Sequence, residues 1–238
     1  MGDTPASTAR DLSPSTEPER AGPAKPREGT GLCLSGGGYR AMLFHAGVLW
    51  RLNELGVLSR LARISSVSGG SITAGVLGHR WKHLSFDASG VATNFAPEVI
   101  APIRNLAAVT IDAWAIGIGA LNPFATIGDE VRDAYGKHLF GAATLQDLPD
   151  SPRFVINATN VQSGALFRFS KKYLGDWRIG LVMSPSVSLA TAVAASSAFP
   201  PVLSPVALKL SPASFAPPDP EAPPELTGEA FRARVVLS

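Results

Sequence analysis

The chain has 238 residues, with 45% hydrophobic and 17% charged side chains, enough apolar mass for one sizeable core and too much for wholesale disorder. Lysines and arginines number 21 against 19 acids, and a net charge of +2 argues against nucleic acid or another polyanion as the main partner. The single cysteine, Cys33, cannot form an internal disulfide, and the four histidines show no metal-ligand spacing, so neither a structural zinc nor a cofactor is implied.

Residues 1–29 hold five prolines among Ser, Thr, Glu and Arg and read as a disordered leader ahead of one domain spanning 30–238. The opening residues lack the basic end and apolar run of a secretory signal, which makes the cytosol the default location. Gly31–Leu34 reads as a short strand, in which Cys33 is expected to be a buried small hydrophobe. Tyr39–Leu55 follows with Met42, Leu43, Ala46, Leu49 and Leu52 at helical spacing and Gly56 as its stop. Ile64–Val67 is the next strand and Ser71–Trp81 the next helix.

Ala101–Phe124 is apolar, a lid over the site or a buried helix; its longest apolar run, Leu106–Leu121, carries Asp112 and falls short of a spanning length. Arg153–Asn157 and Ala165–Phe169 read as strands and Ser188–Ser197 as an Ala-rich helix. Between Arg153 and Arg178 five cations face one acid, suiting a solvated strand edge or anionic headgroups. Residues 211–229 form a proline-rich surface loop between two strand-like runs, Pro205–Leu210 and Ala230–Leu237. Strand and helix in alternation predict an α/β fold, three layers α/β/α around a mostly parallel sheet. In such sheets ligands sit at the carboxyl ends of the strands.

Two glycine-rich turns fall at those ends. The first, Ser35-Gly36-Gly37-Gly38-Tyr39-Arg40, joins a strand to a helix; three glycines let backbone N–H groups converge, and the helix start adds partial positive charge. Such a turn suits an anion, either a phosphate or the transient oxyanion of acyl transfer. A plain tight turn remains open, as does a dinucleotide loop, although the latter needs an acidic residue ending the next strand. That strand instead ends in the second turn, Ser66-Val67-Ser68-Gly69-Gly70. A serine on a sharp strand-to-helix turn lifts its Oγ above the sheet, so Ser68 is placed like a nucleophile, with a helix N-cap as the bland alternative. Ser66 stands where the common pattern has glycine.

Taken together, about 30 residues apart with one amphipathic helix between them, the two turns resemble the patatin-like phospholipase family of serine acyl hydrolases. The resemblance rests on SGGGYRAMLFHAGVL, SVSGGS, FVINATNVQSG and AVAASSAFPPV, and spans about Gly31 to Val236. It implies hydrolysis of acyl esters in phospholipids or related lipids by a serine–aspartate pair, without metal or cofactor. By it Ser68 is the nucleophile, Gly36, Gly37, Gly38 and Arg40 form the oxyanion loop, and Ser66, Gly69 and Gly70 shape the elbow. Arg40 would brace the loop carbonyls or meet a lipid phosphate, and Asn157 and Asn160 would satisfy backbone groups near the site. Peripheral contact with a membrane fits the same substrate class.

The family's aspartate follows a late strand in an Asp-Gly-Gly or Asp-Gly-Ala motif, and no aspartate after the elbow is followed by such a turn. The partner is therefore expected just past residue 238, the chain being truncated on its C-terminal side. A catalytically inactive lipid-binding or regulatory protein on the same scaffold is the competing class. No histidine is expected to substitute: His79 lies about 11 residues along the helix after Ser68, more than 10 Å away at about 1.5 Å per residue. His45, His83 and His138 read as packing, hydrogen-bonding or exposed helical positions.

Overall fold

The computed structural model describes residues 28–109, 127–200, 203–217, 220 and 222–238. Most of the expected leader, and Trp114, Ile116, Ile118, Leu121 and Phe124 of the apolar stretch, lie outside the described residues.

Among the described residues, eight strands form one open sheet. They are β1 (Thr30–Leu34), β2 (Leu61–Val67), β3 (Arg153–Asn160), β4 (Ala165–Phe169), β5 (Tyr173–Asp176), β6 (Gly180–Met183), β7 (Val206–Lys209) and β8 (Arg234–Leu237). The order runs β1-β2-β3-β4-β5-β6, and the β7–β8 hairpin joins at β3. The fold class is α/β, and the expected parallel pairing is confined to β1–β2–β3, where Leu34, Ser66 and Ile156 stand in register. From β3 to β6 the pairings are antiparallel, because the connections are too short for a crossover and allow only hairpins.

The helices are α1 (Gly38–Glu54), α2 (Gly69–Arg80), α3 (Ala101–Ala107), α4 (Ile127–Tyr135), α5 (Leu189–Ser197) and α6 (Glu229–Ala233). Helix α2 is buried from Gly69 to Gly78, which small residues permit. A Cβ on Gly75 would lie 2.9 Å from the Phe140 ring, and one on Gly78 2.6 Å from Leu148. Helix α1 turns Met42, His45, Ala46, Leu49 and Asn53 inward and stops at Gly56, whose φ of +63° suits glycine. The core these helices share with the sheet includes Leu49, Leu58, Ile64, Leu77, Phe154 and Ile156.

Two burial expectations fail. Cys33 is exposed, because β1 is an edge strand whose core face carries Leu32 and Leu34, with Cys33 on the opposite face. Leu43 is 45% exposed, one position round the helix from buried Met42. In the apolar stretch, Ile103 and Leu106 of α3 are fully buried, which favours a buried helix for that part. The cationic run is not a simple solvated edge: Arg153 is buried with its guanidinium 5.2 Å over the Tyr173 ring, Arg178 stacks on Trp177, and Lys171 pairs with Asp150. The proline-rich loop contains two short 3-10 turns, Pro212–Ser214 and Pro224–Leu226, and α6 takes the first part of what reads in the sequence as its second strand.

Candidate active site

Ser68 sits at the carboxyl end of β2 as the N-cap residue of α2, with φ 54° and ψ −126°. A serine with positive φ is a strained exception, sustained only where its surroundings enforce it. Its side chain does no capping, and among the described residues no carboxylate or imidazole hydrogen-bonds its Oγ. The backbone, by contrast, is held on both sides. Its N–H donates to Ser196 Oγ at 2.9 Å and to the Ser196 carbonyl at 3.1 Å, while its carbonyl accepts from the N–H groups of Ser71 and Ile72 at 2.7 and 3.2 Å.

The glycine loop lies directly against this turn. A Cβ on Gly36 would stand 3.0 Å from Ser68 Cβ and 3.7 Å from its Oγ, so only a residue without a side chain brings the loop so close. Gly37, with φ 132°, and Gly38, with φ 61°, complete the bend into α1 in conformations that favour glycine. On the elbow side, a Cβ on Gly70 would fall 2.6 Å from the Leu34 carbonyl oxygen and 2.7 Å from that of Ser35.

Ser66 accommodates the missing glycine of the common pattern by turning inward. Its Oγ is 3.4 Å from the Val155 carbonyl and accepts from Ser71 Oγ at 3.0 Å. Ser71 Oγ is also 2.9 Å from Ser196 Oγ, which donates to the Asn157 carbonyl at 2.6 Å. The Asn157 amide donates to the Ser66 carbonyl and to Ser65 Oγ, both at 2.9 Å, and its Oδ1 is buried without a partner. Asn160 is engaged elsewhere, donating to Asp176 and accepting from the N–H groups of Gln162 and Ser163 in the β3–β4 turn.

Arg40 is exposed in the first turn of α1, and among the described residues its guanidinium makes no hydrogen bond to the loop carbonyls. The loop is braced instead by His45, whose Nε2 donates to the Ser35 carbonyl at 2.9 Å. His79 stays with α2, its ring edge-on to Phe140 at 6.2 Å; burial, then neighbouring Arg80, lowers its pKa. His138 is exposed after α4. Among the described residues no three His, Cys, Asp or Glu side chains gather as metal ligands, and no helix is long and apolar enough to cross a membrane.

Sequence reasoning assigns no role to Ser196 or Ser71. Ser71 reads only as the start of the helix Ser71–Trp81, and Ser196 as a small polar residue near the end of an Ala-rich helix, 128 positions from Ser68.

Among solved structures, human GIVD cytosolic phospholipase A2 in complex with methyl gamma-linolenyl fluorophosphonate and terbium chloride aligns at 19% identity and a TM-score of 0.45. That alignment covers 70% of this chain and 29% of the phospholipase. VipD from Legionella pneumophila aligns at 19% identity and 0.40, covering 76% and 44%. The chain therefore spans less than half the length of either protein. No curated protein matches the sequence. The Patatin-like phospholipase family model matches residues 32–213, a span holding both glycine turns, Ser68, Asn157 and Ser196, and the chain belongs to that family.

Proposed function

We propose that the chain carries the nucleophile and oxyanion loop of a serine-dependent lipid acyl hydrolase acting on esters of phospholipids or related lipids. The observation that carries this reading is Ser68 held at φ 54° with its Oγ unengaged and Gly36 packed against it. In this reading Ser68 Oγ attacks the ester carbonyl carbon as its proton passes to the base, the carbonyl oxygen takes up negative charge beside the Gly36–Gly38 N–H groups, and the ester C–O bond breaks as the base returns that proton to the departing alcohol. Water then opens the acyl-enzyme. The Ser68 N–H is already engaged by Ser196, so the loop and the start of α2 remain as the donors for that charge. Arg40, exposed beside the loop, is available to a lipid phosphate, and Phe44 and Phe199, 67% and 69% exposed, suit peripheral contact with a bilayer.

The general base in this proposal is a carboxylate in a longer chain, following Ser238. Strand β8 is antiparallel to β3, with Leu237 opposite Asn160 and Ser238 exchanging hydrogen bonds with Thr159. It runs toward Asn157, whose register partner in β2 is Val67, the residue before Ser68. Residues continuing along that line come to the elbow. The second reading, a non-hydrolytic lipid-binding protein, is favoured by the absence of a base on Ser68 Oγ among the described residues.

The deciding measurement is hydrolysis of a p-nitrophenyl ester and of a phospholipid by this chain and by one extended past Ser238, each with and without Ser68→Ala. Turnover that depends on Ser68 and rises in the extended chain supports the hydrolase. An extended chain that binds lysolipid without turnover supports the binding protein.

A further inference from the structure

We infer that Ser196 is a positioning residue for Ser68, holding the elbow in its reactive backbone conformation from across the fold; this rests on the reading of Ser68 as nucleophile. Ser196 lies in the last turn of α5, where carbonyl groups lack intrahelical donors, and the Ser68 N–H fills one of them at 3.1 Å. The same N–H is shared with Ser196 Oγ at 2.9 Å. The hydroxyl's single proton is committed to the Asn157 carbonyl at 2.6 Å, which fixes Ser196 Oγ as an acceptor toward the elbow. Ser196 is 4% exposed, so water does not compete for these bonds.

One residue thus ties three elements together: α5 through its backbone, β3 through Asn157 and the elbow through the Ser68 N–H. At a positive φ the Ser68 N–H is turned away from the course it would take in a continued strand, and Ser196 supplies the acceptors at the place where it arrives. The Ser68 carbonyl is held by the backbone N–H groups of Ser71 and Ile72, the first of which also meets Ser196 through its hydroxyl, 2.9 Å away. The backbone is therefore clamped at both ends, and the freedom left to the residue is the rotation of its Oγ. Removing the Ser196 hydroxyl loosens one end of that clamp without touching the glycine loop, so the rate of attack should fall while ligand affinity stays.

In the chain extended past Ser238, the test compares the unsubstituted form with Ser196→Ala and Ser196→Cys, using Ser197→Ala as a control on α5, since Ser197 Oγ has no hydrogen-bond partner among the described residues. Amide hydrogen exchange at Ser68 is expected to quicken roughly tenfold in Ser196→Ala, the scale of one lost hydrogen bond. The limiting rate of fluorophosphonate labelling at Ser68 should fall by a similar factor, with the half-saturating probe concentration unchanged. Ser197→Ala should match the unsubstituted chain in both. Should Ser196→Ala not fold, Ser196→Cys carries the comparison, because sulfur fills the space and accepts poorly. Unchanged exchange at Ser68, or faster exchange with unchanged labelling, overturns the positioning role. Absence of labelling at Ser68 in the unsubstituted extended chain overturns the nucleophile reading instead, and exchange still decides whether the clamp exists.

Discussion

Gly69 and Gly38 are in direct steric apposition: a Cβ built on Gly69 would lie 2.1 Å from the Gly38 carbonyl oxygen. The elbow and the glycine loop therefore occupy their relative positions because neither contributes a side chain at the point of contact. Gly69→Ala should destabilise the chain by roughly 2–4 kcal/mol, as expected where a buried group is forced into backbone. Gly31→Ala, where nothing lies within 4 Å of the added Cβ, should change stability by less than about 0.5 kcal/mol. Urea unfolding of the two variants checks the pair, and equal midpoints would contradict the apposition.

Ser68→Ala should leave the fold intact, since the Ser68 Oγ makes no hydrogen bond among the described residues and both clamps act on its backbone. Fluorophosphonate labelling and ester turnover should vanish in an extended chain carrying this change. Retained turnover would move the nucleophile to another serine.

At Gly37 the backbone adopts φ 132°, and a Cβ would meet that of Ala41 at 3.2 Å. Gly37→Val should reorient the loop N–H groups and lower kcat by about 100-fold or more, the usual effect of losing one oxyanion donor. The comparison is ester turnover in the extended chain at matched folded fraction. A normal kcat would reduce the glycines to a turn.

The depressed pKa of His79 gives stability a pH dependence. Burial, then Arg80, disfavours the imidazolium, while Asp147 partly opposes them. The unfolded chain takes up a proton near the usual value of 6.5, and the folded chain does so at lower pH. Stability from this group is therefore complete above about pH 6.5 and is lost as pH falls through the folded value. Between about pH 7.5 and pH 5.5, His79→Gln should show a smaller drop in Tm than the unsubstituted chain. An identical slope would show that the ring keeps its ordinary affinity for protons.

What was legible in the sequence was local. Gly36–Gly38 and Ser66–Gly70 are contiguous runs whose turn chemistry is set by glycine, and Ala165–Phe169 alternates cleanly enough to give β4 its observed limits. Strands β5 and β6 are invisible for an equally physical reason: each has four residues, β5 contains Gly175 and is buried at every position, and β6 reads Leu-Val-Met after its glycine, apolar throughout, although its burial alternates. Cys33 and Leu43 mislead because the exposure of one strand edge or helix face depends on elements elsewhere in the chain. Arg40 gave way to His45 as the brace of the loop, since only the three-dimensional path of α1 shows which side chain faces the Ser35 carbonyl. Ser196 was hidden by separation, because no pattern read along the chain relates residues so far apart.

The division of the sheet into a parallel half and a hairpin half bears on the order in which the protein folds. Strands β3 to β6 pair with sequence neighbours, so they can close quickly and early. The pairing of β2 with β3 brings Val67 to Asn157 across a long intervening segment and has a far larger loop entropy to overcome. Because Ser196 bridges the Ser68 N–H and the Asn157 carbonyl, Ser68 is expected to acquire its partner on α5 together with that slow closure. Early refolding species should therefore hold a formed hairpin half and no reactive serine, and an appearance of Ser68 reactivity that lags behind hairpin formation would be the kinetic signature of a site assembled last.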